Sequence, residues 1–164
     1  MARRVVLLLA AVSVGVMVLG GAALAKNITG TNRADNLEGT NKKDLIYGLG
    51  GADEIMGKVG PDRLYGGSGQ DSVSGGGGDD LIDVGTSLDF AFGGAGDDRI
   101  EAADSSFGVD FLEGQSGNDR INAADGIRDV IDCGIGDADT AYVDSEDVVE
   151  NCENVFRSLP DVPE

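Results

Sequence analysis

Aspartate recurs at every ninth residue over much of the chain, as Asp35, Asp44, Asp53, Asp62, Asp71, Asp80, Asp89 and Asp98. A carboxylate is a hard oxygen donor, so one acid at the same point of each repeat builds a row of identical ligands. Hard divalent cations are held by such carboxylates together with backbone carbonyls. Glycines precede these acids in a repeated pattern and leave the carbonyls beside them uncovered. Other chemistry is limited by absences. The 164 residues contain no His, which excludes Ser-His-Asp hydrolysis, Cys-His chemistry and histidine-bound zinc. Paired acids could still serve a polysaccharide lyase or epimerase, but the chain has no Trp to stack sugars and its acids are evenly spaced.

The elements that must position these acids follow from the same period. Nonapeptides begin at Gly30, Gly39, Gly48, Gly57, Gly66, Gly75, Val84 and Gly93 with no insertion between them. The fullest copies give Gly-Gly-x-Gly-x-Asp-x-apolar-x. The apolar place is filled by Leu37, Ile46, Ile55, Leu64, Val73, Ile82, Ala91 and Ile100. Positions one to six are rich in Gly, Asp, Asn and Ser and should turn. Positions seven to nine should form a short strand with one inward apolar side chain. A strand of three residues is stable only when stacked on copies of itself, about 4.8 Å apart. Two nonapeptides per coil is the economical closure, with odd copies on one sheet and even copies on the other. The expectation is therefore an all-β parallel solenoid.

After Glu101 the register slips. Three residues, Ala102 to Asp104, precede a unit with Asp110 and Leu112. Gly114 to Asn122 is in frame, with Asp119 and Ile121, and Ala123 is an extra residue before a unit with Asp129 and Ile131. Another copy starts at Cys133, where Ala138 falls at the aspartate place. The expected organisation is a targeting segment at 1–25, a roll at 26–132 (regular over 30–101, irregular over 102–132) and a cap at 133–164.

Stacked carboxylates of one sign repel unless cations lie between them. Calcium suits the gap, taking six to eight oxygens at about 2.3–2.6 Å in a forgiving geometry. Magnesium demands a stricter octahedron. Several calcium ions are therefore the expected cofactor.

The motif resembles the haemolysin-type, or RTX, calcium-binding nonapeptide repeat. The resemblance covers 30–101 closely and 105–132 loosely. It implies a right-handed parallel β-roll whose turns hold calcium through the motif aspartate and loop glycine carbonyls. Carried over by residue, it points first to Asp53, Asp62, Asp71, Asp80 and Asp98. The accompanying glycines are Gly48, Gly50, Gly66, Gly67, Gly69, Gly75, Gly76, Gly78, Gly93, Gly94 and Gly96. Asp35 and Asp44 follow loops without inner glycines, and Val84 and Ser87 replace two glycines before Asp89, so these sites are expected to be weaker. Asp110, Asp119 and Asp129 belong to the irregular repeats. In contrast to many relatives carrying a catalytic domain, this chain has little sequence outside its repeats.

The beginning of the chain reads as an export signal. Arg3 and Arg4 precede an apolar run from Val5 to Leu19, and Ala23-Leu24-Ala25 supplies small residues for cleavage before Lys26. A retained membrane anchor is the alternative. An exported chain makes a Cys133–Cys152 disulfide the default. The net charge is −18, which disfavours nucleic acid and anionic membranes as partners. With 27 Gly, five Phe and no Trp, the chain needs stabilisation from outside an ordinary core. The expected function is that of a secreted calcium-binding protein that folds on the metal and is not an enzyme. The rivals are a calcium-dependent adhesin or surface module and a lyase-like solenoid enzyme. In the stacked scheme Tyr47 adjoins Tyr65 and Phe90 adjoins Phe111, either as a glycan-binding strip or as stiffening rungs.

Overall fold

The computed structural model describes residues 24–103 and 108–158. The expected signal segment lies almost wholly outside them, as do the end of the tail and Asp104. Among the described residues there is no helix, and hence none long and apolar enough to cross a membrane.

The chain winds into a parallel β-solenoid of about seven turns. One sheet stacks the strands β1 (Asn27–Thr29), β3 (Leu45–Gly50), β5 (Arg63–Ser68), β7 (Leu81–Thr86), β9 (Arg99–Glu101), β11 (Arg120–Asn122), β13 (Thr140–Val143) and β15 (Asn154–Arg157). The facing sheet stacks β2 (Asn36–Glu38), β4 (Glu54–Val59), β6 (Ser72–Gly77), β8 (Phe90–Ala95), β10 (Phe111–Ser116), β12 (Val130–Asp132) and β14 (Val148–Glu150). Odd and even repeats thus separate onto two sheets. Leu45 pairs with Arg63 and Arg63 with Leu81, so two nonapeptides make one coil.

Seven central strands are six residues long, twice the expected length. They continue through positions one to three of the next repeat, where glycines keep the backbone extended enough to pair. Leu49 opposite Gly67 and Gly50 opposite Ser68 are examples. Small side chains in these stretches look like turns in sequence, yet their backbone amides need partners as much as any others.

The core is a single file between the sheets. Ile46, Leu64, Val73, Ile82, Ala91, Ile100, Ile121 and Ile131 are fully buried. Position one also points inward, and from Val84 onward Ala102, Ala123, Cys133 and Val143 fill it. The ladder is unbroken across the three-residue insertion: Phe90 pairs with Phe111 directly, and Ala102 is buried in line with the other position-one residues.

The two sheets continue past residue 133. β13, β14 and β15 add further rungs, and Asp139, not Ala138, takes the aspartate place. One inserted residue hides this in the sequence, although Ala141 two positions on is the inward apolar residue. A disulfide joins Cys133 to Cys152, with Cα atoms 5.1 Å apart.

Candidate functional site

The chain turns between the sheets along two edges. On the first edge, leaving the odd strands, stand Asp35, Asp53, Asp71, Asp89, Asp110, Asp129 and Asp147. On the second stand Asp44, Asp62, Asp80, Asp98, Asp119 and Asp139. Except for Asp35, which is half-buried, these acids lie inside the coil, not on a solvated face. Each carboxylate replaces a missing backbone acceptor. The N–H of Asp53 donates to Oδ1 of Asp71 at 2.8 Å, and Asp62 donates likewise to Asp80 at 2.7 Å. The same bond joins Asp71 to Asp89, Asp80 to Asp98, Asp89 to Asp110, Asp98 to Asp119, Asp110 to Asp129, Asp119 to Asp139 and Asp129 to Asp147.

The other carboxylate oxygen is the site's distinguishing feature. Oδ2 of Asp53, Asp62, Asp71, Asp80, Asp98, Asp119, Asp129 and Asp139 is buried with no protein hydrogen-bond donor. A buried unpaired anion is costly, so such groups either take up a proton or coordinate a metal. Burial, opposed by the backbone donor on Oδ1 and reinforced by neighbouring carboxylates, raises Asp80, Asp98 and Asp129 to about 7. It raises Asp71 and Asp119 to about 6.

The end repeats are different. In Thr31 and Thr40, which stand at position two, both the main-chain N–H and the hydroxyl donate to the carboxylates of Asp35 and Asp44. At the far end Asp147 accepts N–H groups from Asp129 and Asp144. The acids needing something from outside the protein therefore lie between these ends.

The position-one glycines Gly48, Gly66, Gly75 and Gly93 shape the space around Oδ2. A Cβ on Gly48 would come closer than 3.0 Å both to Oδ2 of Asp53 and to the carbonyl oxygen of Gly66 one coil on. Gly75 has the same relation to Asp80 and the Gly93 carbonyl, and Gly93 to Asp98 and the Gly114 carbonyl. Two oxygens from successive coils thus face one bare Cα, a cradle that any larger residue would fill. Gly67, Gly76 and Gly94 at position two, and Gly69, Gly78 and Gly96 at position four, adopt positive φ. Gly50 is at position three; its neighbour Gly51, with φ 115°, is the counterpart of Gly69.

Sequence reasoning passed over Gly51, Gly57, Gly60, Gly114, Gly117 and Asp139, all of which occupy the same places in the coil. The register of the repeat could have found the first five; Asp139 needed the inserted residue to be recognised. Among the described residues no three acid or thiol side chains gather to hold an ion by themselves. Any ion would therefore need backbone carbonyls as well, and the loops supply those.

Residues 29–64, 56–90, 85–106 and 104–126 match the RTX calcium-binding nonapeptide repeat in four copies. Together they span more than half of the chain. The chain belongs to the RTX calcium-binding nonapeptide repeat family. Neither the curated proteins nor the solved structures compared with it gave a match. RTX repeats bind calcium in general, and the donor set here is of the right kind: hard carboxylate oxygens without partners, beside glycine carbonyls. In this RTX chain the stacked coils therefore form a calcium-binding repeat protein.

Proposed function

We propose that this is a secreted, non-catalytic calcium-binding protein whose roll becomes stable when the metal is bound. The observation that carries the reading is the row of buried aspartate Oδ2 atoms without protein donors. Asp53, Asp62, Asp71, Asp80, Asp98, Asp119 and Asp139 would hold the ions, helped by carbonyls of the adjoining glycine loops. Asp35 and Asp44 already have threonine donors and contribute less. Bound calcium supplies the positive charge that allows these carboxylates to remain ionised while buried. The residues themselves set the spacing, exclude water and fix one carboxylate oxygen on a backbone N–H.

Extracellular calcium modules work at about 10⁻⁴–10⁻³ M, so the chain would stay open at low calcium and become rigid after export. The disulfide supports an oxidising setting. Tyr47 stacks on Tyr65 with centroids 4.8 Å apart, and Phe90 on Phe111 at 5.2 Å. Rings stacked on each other in register favour stiffening rungs over a glycan-binding strip.

Far-ultraviolet circular dichroism during a calcium titration tests the proposal. Chelated protein is expected to gain β signal as calcium reaches millimolar levels. An unchanged, fully folded spectrum after exhaustive chelation would refute it.

A further inference from the structure

We infer that the two edges of the roll divide the work unequally: the second edge carries the cation-binding row, in standard loops as far as Asp119, while the first stops binding cations after Asp71 and is held by hydrocarbon. This rests on the calcium-binding reading above and assigns it to particular residues.

Loop length separates the edges. Along the second edge the spacing from position one to the aspartate is constant through five turns, from Gly39 to Asp44, Gly57 to Asp62, Gly75 to Asp80, Gly93 to Asp98 and Gly114 to Asp119, and is one residue longer only in the last, from Cys133 to Asp139. Along the first it holds only as far as Val84 to Asp89. It then lengthens from Ala102 to Asp110, is one residue longer than standard from Ala123 to Asp129, and is one residue shorter from Val143 to Asp147. A ligand set built from stacked carbonyls needs loops of equal shape in successive coils, and beyond Asp89 only the second edge keeps them, as far as Asp119.

Backbone conformation separates them again. On the second edge, positions two and four both have positive φ at Lys58 and Gly60, Gly76 and Gly78, Gly94 and Gly96, and Gln115 and Gly117. The first edge keeps such pairs only through Gly85 and Ser87. Beyond them, among the described residues of that edge, Gly126 alone is in that region, whereas the second edge loses the pair only in the turn of Asp139, where Gly134 alone keeps it.

The space beside the carboxylate differs in kind. On the second edge Gly57, Gly75, Gly93 and Gly114 leave Oδ2 and the next coil's carbonyl oxygen facing a bare Cα. On the first edge Gly48 and Gly66 do the same, but from there Val84, Ala102, Ala123 and Val143 put buried side chains at this position, as only Cys133 does on the second. The last first-edge turns also use protein donors, with Gly126 N–H on Asp144 and Asp144 N–H on Asp147. Asp129 retains a buried Oδ2 without a donor, but position one of its turn is the buried Ala123 and not a glycine.

The test counts bound ⁴⁵Ca by equilibrium dialysis on the full chain. Asp80→Asn with Asp98→Asn should bind fewer ions and raise the calcium midpoint by about tenfold or more. Asp110→Asn with Asp129→Asn should bind as many ions as wild type, since an amide oxygen still accepts the rung N–H. Equal loss of ions in both pairs overturns the inference while leaving calcium binding intact. A wild type that binds no calcium overturns the functional reading itself. If either pair fails to fold, gadolinium titrated into calcium-loaded wild type gives the answer by NMR. Broadening should cover the second-edge turns and the first-edge turns of Asp53 and Asp71 and spare residues 108–147 of the first edge; broadening at those later first-edge turns overturns the inference.

Discussion

The main-chain N–H of Asp139 donates to Oε2 of Glu153 at 2.9 Å, whereas each earlier aspartate on that edge donates to an aspartate. The last coil is short, with Thr140 opposite Asn154, so the longer glutamate side chain occupies the rung. Glu153→Gln keeps an acceptor and should leave stability unchanged. Glu153→Ala removes it and should cost about 1–2 kcal/mol. Urea unfolding at saturating calcium measures both, and equal effects of the two substitutions would reject the rung.

Two glycines two residues apart should respond oppositely to alanine. A Cβ on Gly75 would press on Asp80 Oδ2 and the Gly93 carbonyl, while one on Gly77 would meet nothing closer than 3.9 Å. Gly75→Ala is expected to destabilise the roll by about 1–3 kcal/mol, the cost of overpacking, and to weaken calcium binding. Gly77→Ala should stay within about 0.5 kcal/mol of wild type. Calcium titrations followed by circular dichroism would show a shifted midpoint for the first variant only.

Much of this was legible in the period alone. The aspartate and apolar columns, the assignment of alternate repeats to two sheets, and the neighbours Tyr47 and Tyr65 all follow from a unit of nine residues closing in pairs. The burial of the acids was not legible. A hydrophilic residue such as Asp80 reads as surface, and only the N–H to Oδ1 bond across a whole coil explains its place inside. That bond joins residues far apart in sequence and leaves no local signal. Asp139 was hidden by a single insertion. The six-residue strands were hidden because glycine-rich stretches such as Gly75–Gly77 carry no strand propensity of their own.

The Cys133–Cys152 bond should stabilise the last coils in particular. Cross-linking a loop of this length is worth about 3 kcal/mol in the chain-entropy model. The Cys133 carbonyl also faces the Cα of Gly114 together with Asp119 Oδ2, so the bond steadies a backbone oxygen beside the ladder. Cys133→Ser with Cys152→Ser should lower the urea midpoint and raise amide exchange in β12 to β15, leaving β3 to β6 as protected as before. Exchange rising equally along the whole roll would contradict this local role.

Acid should partly substitute for calcium. Burial first, and neighbouring carboxylates second, raise Asp80, Asp98 and Asp129 from 3.8 to about 7, and Asp71 and Asp119 to about 6, against the opposing effect of the Oδ1 donors. The folded chain without metal therefore binds protons more tightly than the open chain. Its stability is greatest below the unfolded carboxylate value, falls as pH rises from about 4 to about 7, and is flat above. Circular dichroism of chelated protein should accordingly show β signal at acid pH that fades toward neutrality, with the calcium midpoint falling over the same interval because calcium must displace protons from these carboxylates at the acid end. A metal-free spectrum that does not change across that interval would mean the buried Oδ2 atoms are not what limits folding.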